Sequence, residues 1–123
     1  SSTNLIGVTM LTSFNDELIH EIGLQKTVSE NVMNLSGIAQ KCNLDGIVCS
    51  PLEISMIKEI YGNKLKLIVP GIRENVNSPN DQKRTLSAKE AVDAGADIIV
   101  VGRPIIESDS PSDAAAALLQ SLK

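Results

Sequence analysis

Aromatic residues are nearly missing: one Phe, one Tyr and no Trp among 123 residues. Bases have almost nothing to stack on, which argues against a single-stranded nucleic-acid binder built on aromatic platforms. A broad positive field is missing too, because 11 Lys and Arg stand against 15 Asp and Glu for a net charge of −4. A polyanion therefore has no basic face to settle on. Histidine occurs once, at His20, and cysteine twice, at Cys42 and Cys49. That number and spacing fit neither a zinc site nor a disulfide framework, so no metal is expected. No apolar run approaches the roughly 20 residues that a membrane-crossing helix needs. Two thiols without a recognisable secretory leader fit a reducing compartment, and a cytoplasmic protein is the expectation.

What is present is a rhythm. Four short apolar runs recur at Leu5–Leu11, Gly46–Cys49, Leu65–Val69 and Asp97–Val101. They are rich in Ile and Val with little alternation, the pattern of parallel strands buried on both faces. A helical segment follows each. Asn15–Ile22 reads as a short helix ending at Gly23, and Ser13 is a candidate cap for it. Thr27-Val28-Ser29-Glu30 starts the longest helix, with Val32, Leu35, Ile38, Ala39 and Cys42 on its apolar side. Ser50-Pro51-Leu52-Glu53 and Ser87-Ala88-Lys89-Glu90 have the form of capping boxes, and Ser110-Pro111 opens a terminal helix. Ile54, Ile57, Ile60 and Tyr61 should form one inward stripe, Ala91, Val92 and Ala94 another, and Leu118, Leu119 and Leu122 a third. The order β-α-α-β-α-β-α-β-α implies an α/β fold with parallel strands and right-handed crossovers, in one domain over residues 1–123.

Only three arginines occur, Arg73, Arg84 and Arg103, and two of them stand just past strand ends. Val69-Pro70-Gly71-Ile72-Arg73 ends the third strand with a Pro-Gly turn. Val101-Gly102-Arg103-Pro104-Ile105 ends the fourth. Gly102 has no side chain to keep a ligand oxygen from its backbone N–H, and Arg103 offers a planar fork of donors suited to phosphate. A glycine turn with a surface arginine is the alternative reading of the same residues. The loop between them carries Asp81-Gln82-Lys83-Arg84, where Gln82 could reach the same anion; a solvated charged loop is the alternative. Thr9, Thr12 and Ser13 close the first strand with hydroxyls, and Cys49 and Ser50 close the second. Cys49 has no histidine near it in sequence and reads as a small buried hydrophobe. His20 reads as a helix-surface residue. Local positive charge on an acidic chain suits a small anionic ligand. In a (β/α) barrel, phosphate binds at the mouth, after the seventh and eighth strands.

Taken together, Val8-Thr9-Met10-Leu11-Thr12-Ser13, Leu44-Asp45-Gly46-Ile47-Val48-Cys49-Ser50, Val69-Pro70-Gly71-Ile72-Arg73, Asp81-Gln82-Lys83-Arg84 and Ala94-Gly95-Ala96-Asp97 running into Val101-Gly102-Arg103-Pro104-Ile105 resemble the orotidine 5'-phosphate decarboxylase family. Val69 departs from the threonine that the family commonly has before Pro-Gly. The resemblance implies a (β/α)8 TIM barrel that converts orotidine 5'-phosphate to UMP in pyrimidine biosynthesis, with no cofactor. It implies that Arg73, Gln82, Gly102 and Arg103 grip the phosphate, that Thr12 touches the nucleotide, and that Ser13 hydrogen-bonds the pyrimidine.

The family's catalytic Asp/Lys array has an Asp-x-Lys-x-x-Asp pattern on early strands, and no such pattern occurs in this sequence. The resemblance therefore implies that this chain supplies roughly the last four βα units and no catalytic residue. A complementary N-terminal half-barrel would be its partner, complete barrels would pair as homodimers, and neither nucleic acid nor membrane would take part. By itself the chain is expected to be inactive. Alternatives are another phosphate-binding barrel, such as a hexulose-phosphate synthase or a sugar-acid phosphate decarboxylase, or a non-catalytic half-barrel fragment.

Overall fold

The computed structural model describes residues 2–73 and 86–123. Its elements are β1 (Ile6–Val8), α1 (Asp16–Glu21), α2 (Val28–Lys41), β2 (Gly46–Val48), α3 (Ile54–Tyr61), β3 (Lys66–Val69), α4 (Ala88–Ala94), β4 (Ile98–Ile99), α5 (Arg103–Ile106) and α6 (Pro111–Ser121). The strands form one parallel sheet in the order β1-β2-β3-β4. Each strand is the centre of one of the apolar runs, and the alternation expected from sequence is present. Two pieces are added: a 3-10 turn at Pro51–Glu53 and the short α5.

Side-chain alternation splits the sheet into two unlike faces. Ile47, Leu67 and Val69 are fully buried and meet Val32, Ala39, Ile54, Ile57, Ala88 and Ala91 from α2, α3 and α4. The other face carries a row that register draws straight across all four strands: Val8 beside Val48, Val48 beside Ile68, Ile68 beside Ile98. Val8 is 62% exposed and Ile98 52%. Along this row the face away from the helices is apolar and open to water among the described residues, and the exposed Lys66 shares the face at the amino end of β3.

The caps show where local sequence decides structure. Thr27 accepts from the Glu30 N–H at 3.1 Å and starts α2. Ser87 and Glu90 make both bonds of a capping box, at 3.2 and 2.8 Å, and start α4. The box expected at Ser50 does not form. The Glu53 N–H bonds to the Ser50 carbonyl at 3.1 Å, which tightens the turn to 3-10, and Glu53 is buried at 2% exposure. Ser13 does not cap α1; Asn15 holds that position, accepting from the Leu18 N–H at 2.9 Å. The inward stripes are narrower than expected, with Ile38, Cys42, Ile60, Val92 and Leu119 exposed. His20 is exposed and Cys49 buried, as read from sequence.

Two aspartates lock the sheet from its amino end. Asp45, just before β2, accepts the Leu5 N–H at 2.6 Å, and Asp97, just before β4, accepts the Leu67 N–H at 2.8 Å. Lys58 at the end of α3 also reaches Asp97, at 3.3 Å. Each carboxylate ties the start of its strand to the neighbour before it, so register is set far from the strand ends that carry the arginines.

Candidate functional site

At the carboxyl end of β3 the chain turns at Gly71, whose φ of +78° is a conformation that glycine adopts without strain. The turn drives Ile72 into the core at 3% exposure. Ile72 then pairs with Leu86 in a parallel bridge, and the Arg73 N–H donates to the Leu86 carbonyl at 3.0 Å. Arg73 is therefore fixed by a buried neighbour on one side and a backbone clamp on the other. The clamp also joins the two ends of segment 74–85.

At the end of β4 the Val100 N–H donates to the Val69 carbonyl at 2.9 Å, holding the two strand ends together. Gly102 follows, and its carbonyl accepts from Ile105 and Ile106 at 2.9 and 3.0 Å, which begins α5. Arg103 is the first residue of that turn and Pro104 the second, where a missing N–H costs nothing.

These two constructions meet around a small pocket of about 90 Å³ lined by Gly71, Ile72, Arg73, Val100, Gly102 and Arg103, with Pro104 at its edge. Arg73 Nη2 is buried and has no hydrogen-bond partner among the described residues. A buried guanidinium N–H without an acceptor is costly, and an anion supplies the acceptor. The volume suits a tetrahedral oxyanion and is too small for a nucleoside. A wider cavity of about 500 Å³ continues from the two arginines between α5 and α6, past Glu107, Ser108, Ala114 and Leu118. Its added walls are mostly small or apolar and bring one carboxylate, so positive charge stays at the arginines.

Of the residues expected at the site, the structure brings Arg73, Gly102 and Arg103 together. Thr12 and Ser13 do not line either cavity. They follow β1, at the same end of the sheet, and β1 stands three strands from β4, about 14 Å at the usual spacing of parallel strands. Gln82, with Asp81, Lys83 and Arg84, lies outside the described residues. Sequence reading missed Ile72 and Leu86. Their pairing fixes Arg73, and the only sequence signal was an apolar residue on each side of a polar loop.

A family model described as Orotidine 5'-phosphate decarboxylase / HUMPS family matches residues 1–118. The chain belongs to this family. A curated family relative named orotidine 5'-phosphate decarboxylase, from Wolbachia pipientis subsp. Culex pipiens, is 46% identical over 118 residues, covering 96% of this chain and 52% of the relative. Another with the same name, from Idiomarina loihiensis, is 42% identical over 118 residues, covering 96% of this chain and 51% of its own. Among solved structures, orotidine 5'-phosphate decarboxylase from Lactobacillus acidophilus superposes with a TM-score of 0.81 at 31% identity, over 100% of this chain and 50% of that one. The chain spans about half the length of these relatives. Its four parallel strands are half of the family's TIM barrel, which accounts for the uncovered apolar face.

Proposed function

We propose that this chain is the carboxyl-terminal half of an orotidine 5'-phosphate decarboxylase and supplies its phosphate- and pyrimidine-binding residues. The observation that carries the reading is the pocket at the ends of β3 and β4, where Arg73 Nη2 is buried without a partner beside Arg103 and Gly102. In this reading Arg73 and Arg103 take the phosphate of orotidine 5'-phosphate, with Gln82 joining them from segment 74–85. Thr12 and Ser13 meet the nucleoside and pyrimidine across the mouth. The Asp/Lys array belongs to a complementary amino-terminal half-barrel, and complete barrels pair as homodimers in the cytoplasm. The chemistry follows from that division. Binding energy spent on a phosphate remote from the reacting carbon organises the site and lowers the barrier there. The lysine of the other half protonates the vinyl carbanion left as CO2 departs, in an electrostatically prepared site. Names borne by the curated relatives favour this substrate over the other phosphate barrels of the family.

The test is complementation. The chain is mixed or co-expressed with the amino-terminal half of the Wolbachia relative, and loss of orotidine 5'-phosphate absorbance is followed. Turnover is expected only in the mixture. Robust decarboxylation by the 123-residue chain alone would sink the division of labour.

Gly102 offers a separate check in the complete enzyme. A Cβ placed there meets no atom of the described residues within 4 Å. Gly102→Ala should therefore leave the unfolding midpoint nearly unchanged, within about 1 kcal/mol. The same methyl group stands where a phosphate oxygen would approach, so KM for orotidine 5'-phosphate should rise about tenfold or more, as for a lost charge-assisted contact. An unchanged KM would remove Gly102 from the site.

A further inference from the structure

We propose that Thr9 is a positioning residue for the pyrimidine end of the ligand, its hydroxyl holding the turn that presents Thr12 and Ser13. The inference rests on the decarboxylase reading and adds to it a residue that acts through others.

β1 ends where Val8 pairs with Val48. One residue later the Thr9 N–H donates to the Val48 carbonyl at 3.2 Å, and the Thr9 hydroxyl donates to the same oxygen at 2.7 Å. A carbonyl oxygen has two lone pairs, and here one residue fills both. The sheet needs only the first bond. At the ends of β2 and β4 the same step is made by a backbone N–H, from Cys49 to the Ile68 carbonyl at 3.1 Å and from Val100 to the Val69 carbonyl at 2.9 Å. The Thr9 hydroxyl is an addition to that pattern, and it makes the shorter of the two bonds at Val48. Both bonds lie between β1 and β2, so the other edge of β1 takes no part in them.

Beyond Thr9 the chain leaves the sheet at once. Met10 turns inward at 9% exposure and Leu11 outward at 56%. The Phe14 N–H donates to the Leu11 carbonyl at 3.0 Å, which closes a four-residue turn with Thr12 and Ser13 at its two central positions. Phe14 packs against the core, and Asn15 begins α1. Asp16 accepts the Val28 N–H at 2.7 Å and ties the start of α1 to the start of α2. These contacts anchor the turn downstream. Upstream, only Met10 and Leu11 separate it from the Thr9 bonds. A hydroxyl clamp at that point limits how far the turn can pivot about the end of β1. Contacts to a ring edge tolerate little movement, since a displacement of about 1 Å can cost about 100-fold in rate.

Thr9→Val keeps the β-branched shape and the backbone bond and removes only the hydroxyl bond. The turn then samples displaced positions, and apparent affinity falls by the fraction that stays competent. The net worth of one neutral hydrogen bond limits that loss to about tenfold.

Two ligands separate positioning from general loosening in the complete enzyme. UMP carries a phosphate and a pyrimidine, whereas ribose 5-phosphate carries the phosphate without the ring. Titration calorimetry of Thr9→Val should show UMP binding weakened about fivefold to tenfold and ribose 5-phosphate binding unchanged, with Tm lowered by no more than about 5 °C. Thr9→Ser, which keeps the hydroxyl, should hold the wild-type ratio of the two affinities. A Thr9→Val enzyme that binds UMP as the wild type does would overturn the inference. So would equal weakening of both ligands, or a Thr9→Ser enzyme as impaired as Thr9→Val. Wild-type enzyme that binds UMP no more tightly than ribose 5-phosphate would instead overturn the nucleotide reading itself, and the inference with it.

Discussion

Arg103→Ala in the complete enzyme should raise KM for orotidine 5'-phosphate by about two to three orders of magnitude, equivalent to about 3–4 kcal/mol of binding. The size follows from the geometry. Arg103 and Arg73 converge on one pocket of about 90 Å³ that a phosphate would fill. Removing Arg103 leaves a dianionic group in a confined space with one guanidinium instead of two, and a truncated partner of a buried charged pair costs several kcal/mol. Arg103 is exposed in the described structure and starts a four-residue helix, so its loss should scarcely affect folding. The split between constants is informative. If the phosphate contact serves only to hold substrate, KM rises while kcat stays. If its binding energy also organises the site, kcat falls as well. A wild-type KM in Arg103→Ala would end the phosphate assignment. Methyl phosphate or phosphite added to the variant with a truncated nucleoside would not restore what the missing guanidinium supplied, which separates loss of the grip from general loosening.

The fold was legible because each level of the sequence agreed. Strand runs without alternation, followed by Thr27 and Ser87 with glutamate three residues on, left few arrangements other than parallel βα units, and both caps are made. Failure came where tertiary burial outranked a local signal. Ser50-Pro51-Leu52-Glu53 reads as a capping box, but burial of Glu53 at 2% exposure takes its carboxylate out of the capping role. Ile60 reads as part of the stripe of Ile54 and Ile57. At about 100° per residue it sits about 60° past Ile57, beyond the edge of the core, and is 61% exposed. At the strand ends Arg73, Gly102 and Arg103 stand just past apolar runs in the sequence, and the structure brings the three around one pocket. The clamp of Ile72 on Leu86 was not legible, since a pairing across a long polar loop leaves no local pattern. The open apolar face was legible only in part. Continuous Ile and Val announce strands buried on both sides, and the missing cover shows itself once the register aligns Val8, Val48, Ile68 and Ile98.

Gly46→Ala should unfold the half-barrel or come close to it, although the change adds one methyl group. Gly46 opens β2 beside Lys66 of β3, and a Cβ built there falls 2.5 Å from the Lys66 carbonyl oxygen, 3.0 Å from the Lys66 Cβ and 3.1 Å from the Ile6 Cδ1. The first of these contacts is with backbone. A flexible side chain could swing away, but the Lys66 carbonyl belongs to the middle of a four-stranded sheet. The adjoining Lys66 N–H is itself committed to the Asp45 carbonyl at 3.0 Å. Relief requires β2 and β3 to separate, which breaks the alignment of Ile47 with Leu67 in the buried row. Overpacking of a well-packed interior typically costs about 1–3 kcal/mol, and a clash with immovable backbone belongs at or above the top of that range. Domains are stable by only about 5–15 kcal/mol, so a loss of that size is a large share of the total. Urea unfolding should show Gly46→Ala losing at least about 3 kcal/mol, or lacking a folded baseline altogether. Gly62→Ala is the contrasting control. No atom of the described residues lies within 4 Å of a Cβ there, and its cost should be limited to the backbone strain of φ +56°. With ψ at −125° the residue lies outside the left-handed helical well, in a region that is nearly glycine's alone, and the strain is about 1–3 kcal/mol. If Gly46→Ala were as mild as the control, β2 and β3 would be farther apart in solution than their register requires. The layer that carries Arg73 and Arg103 at its far end would then have to be redrawn.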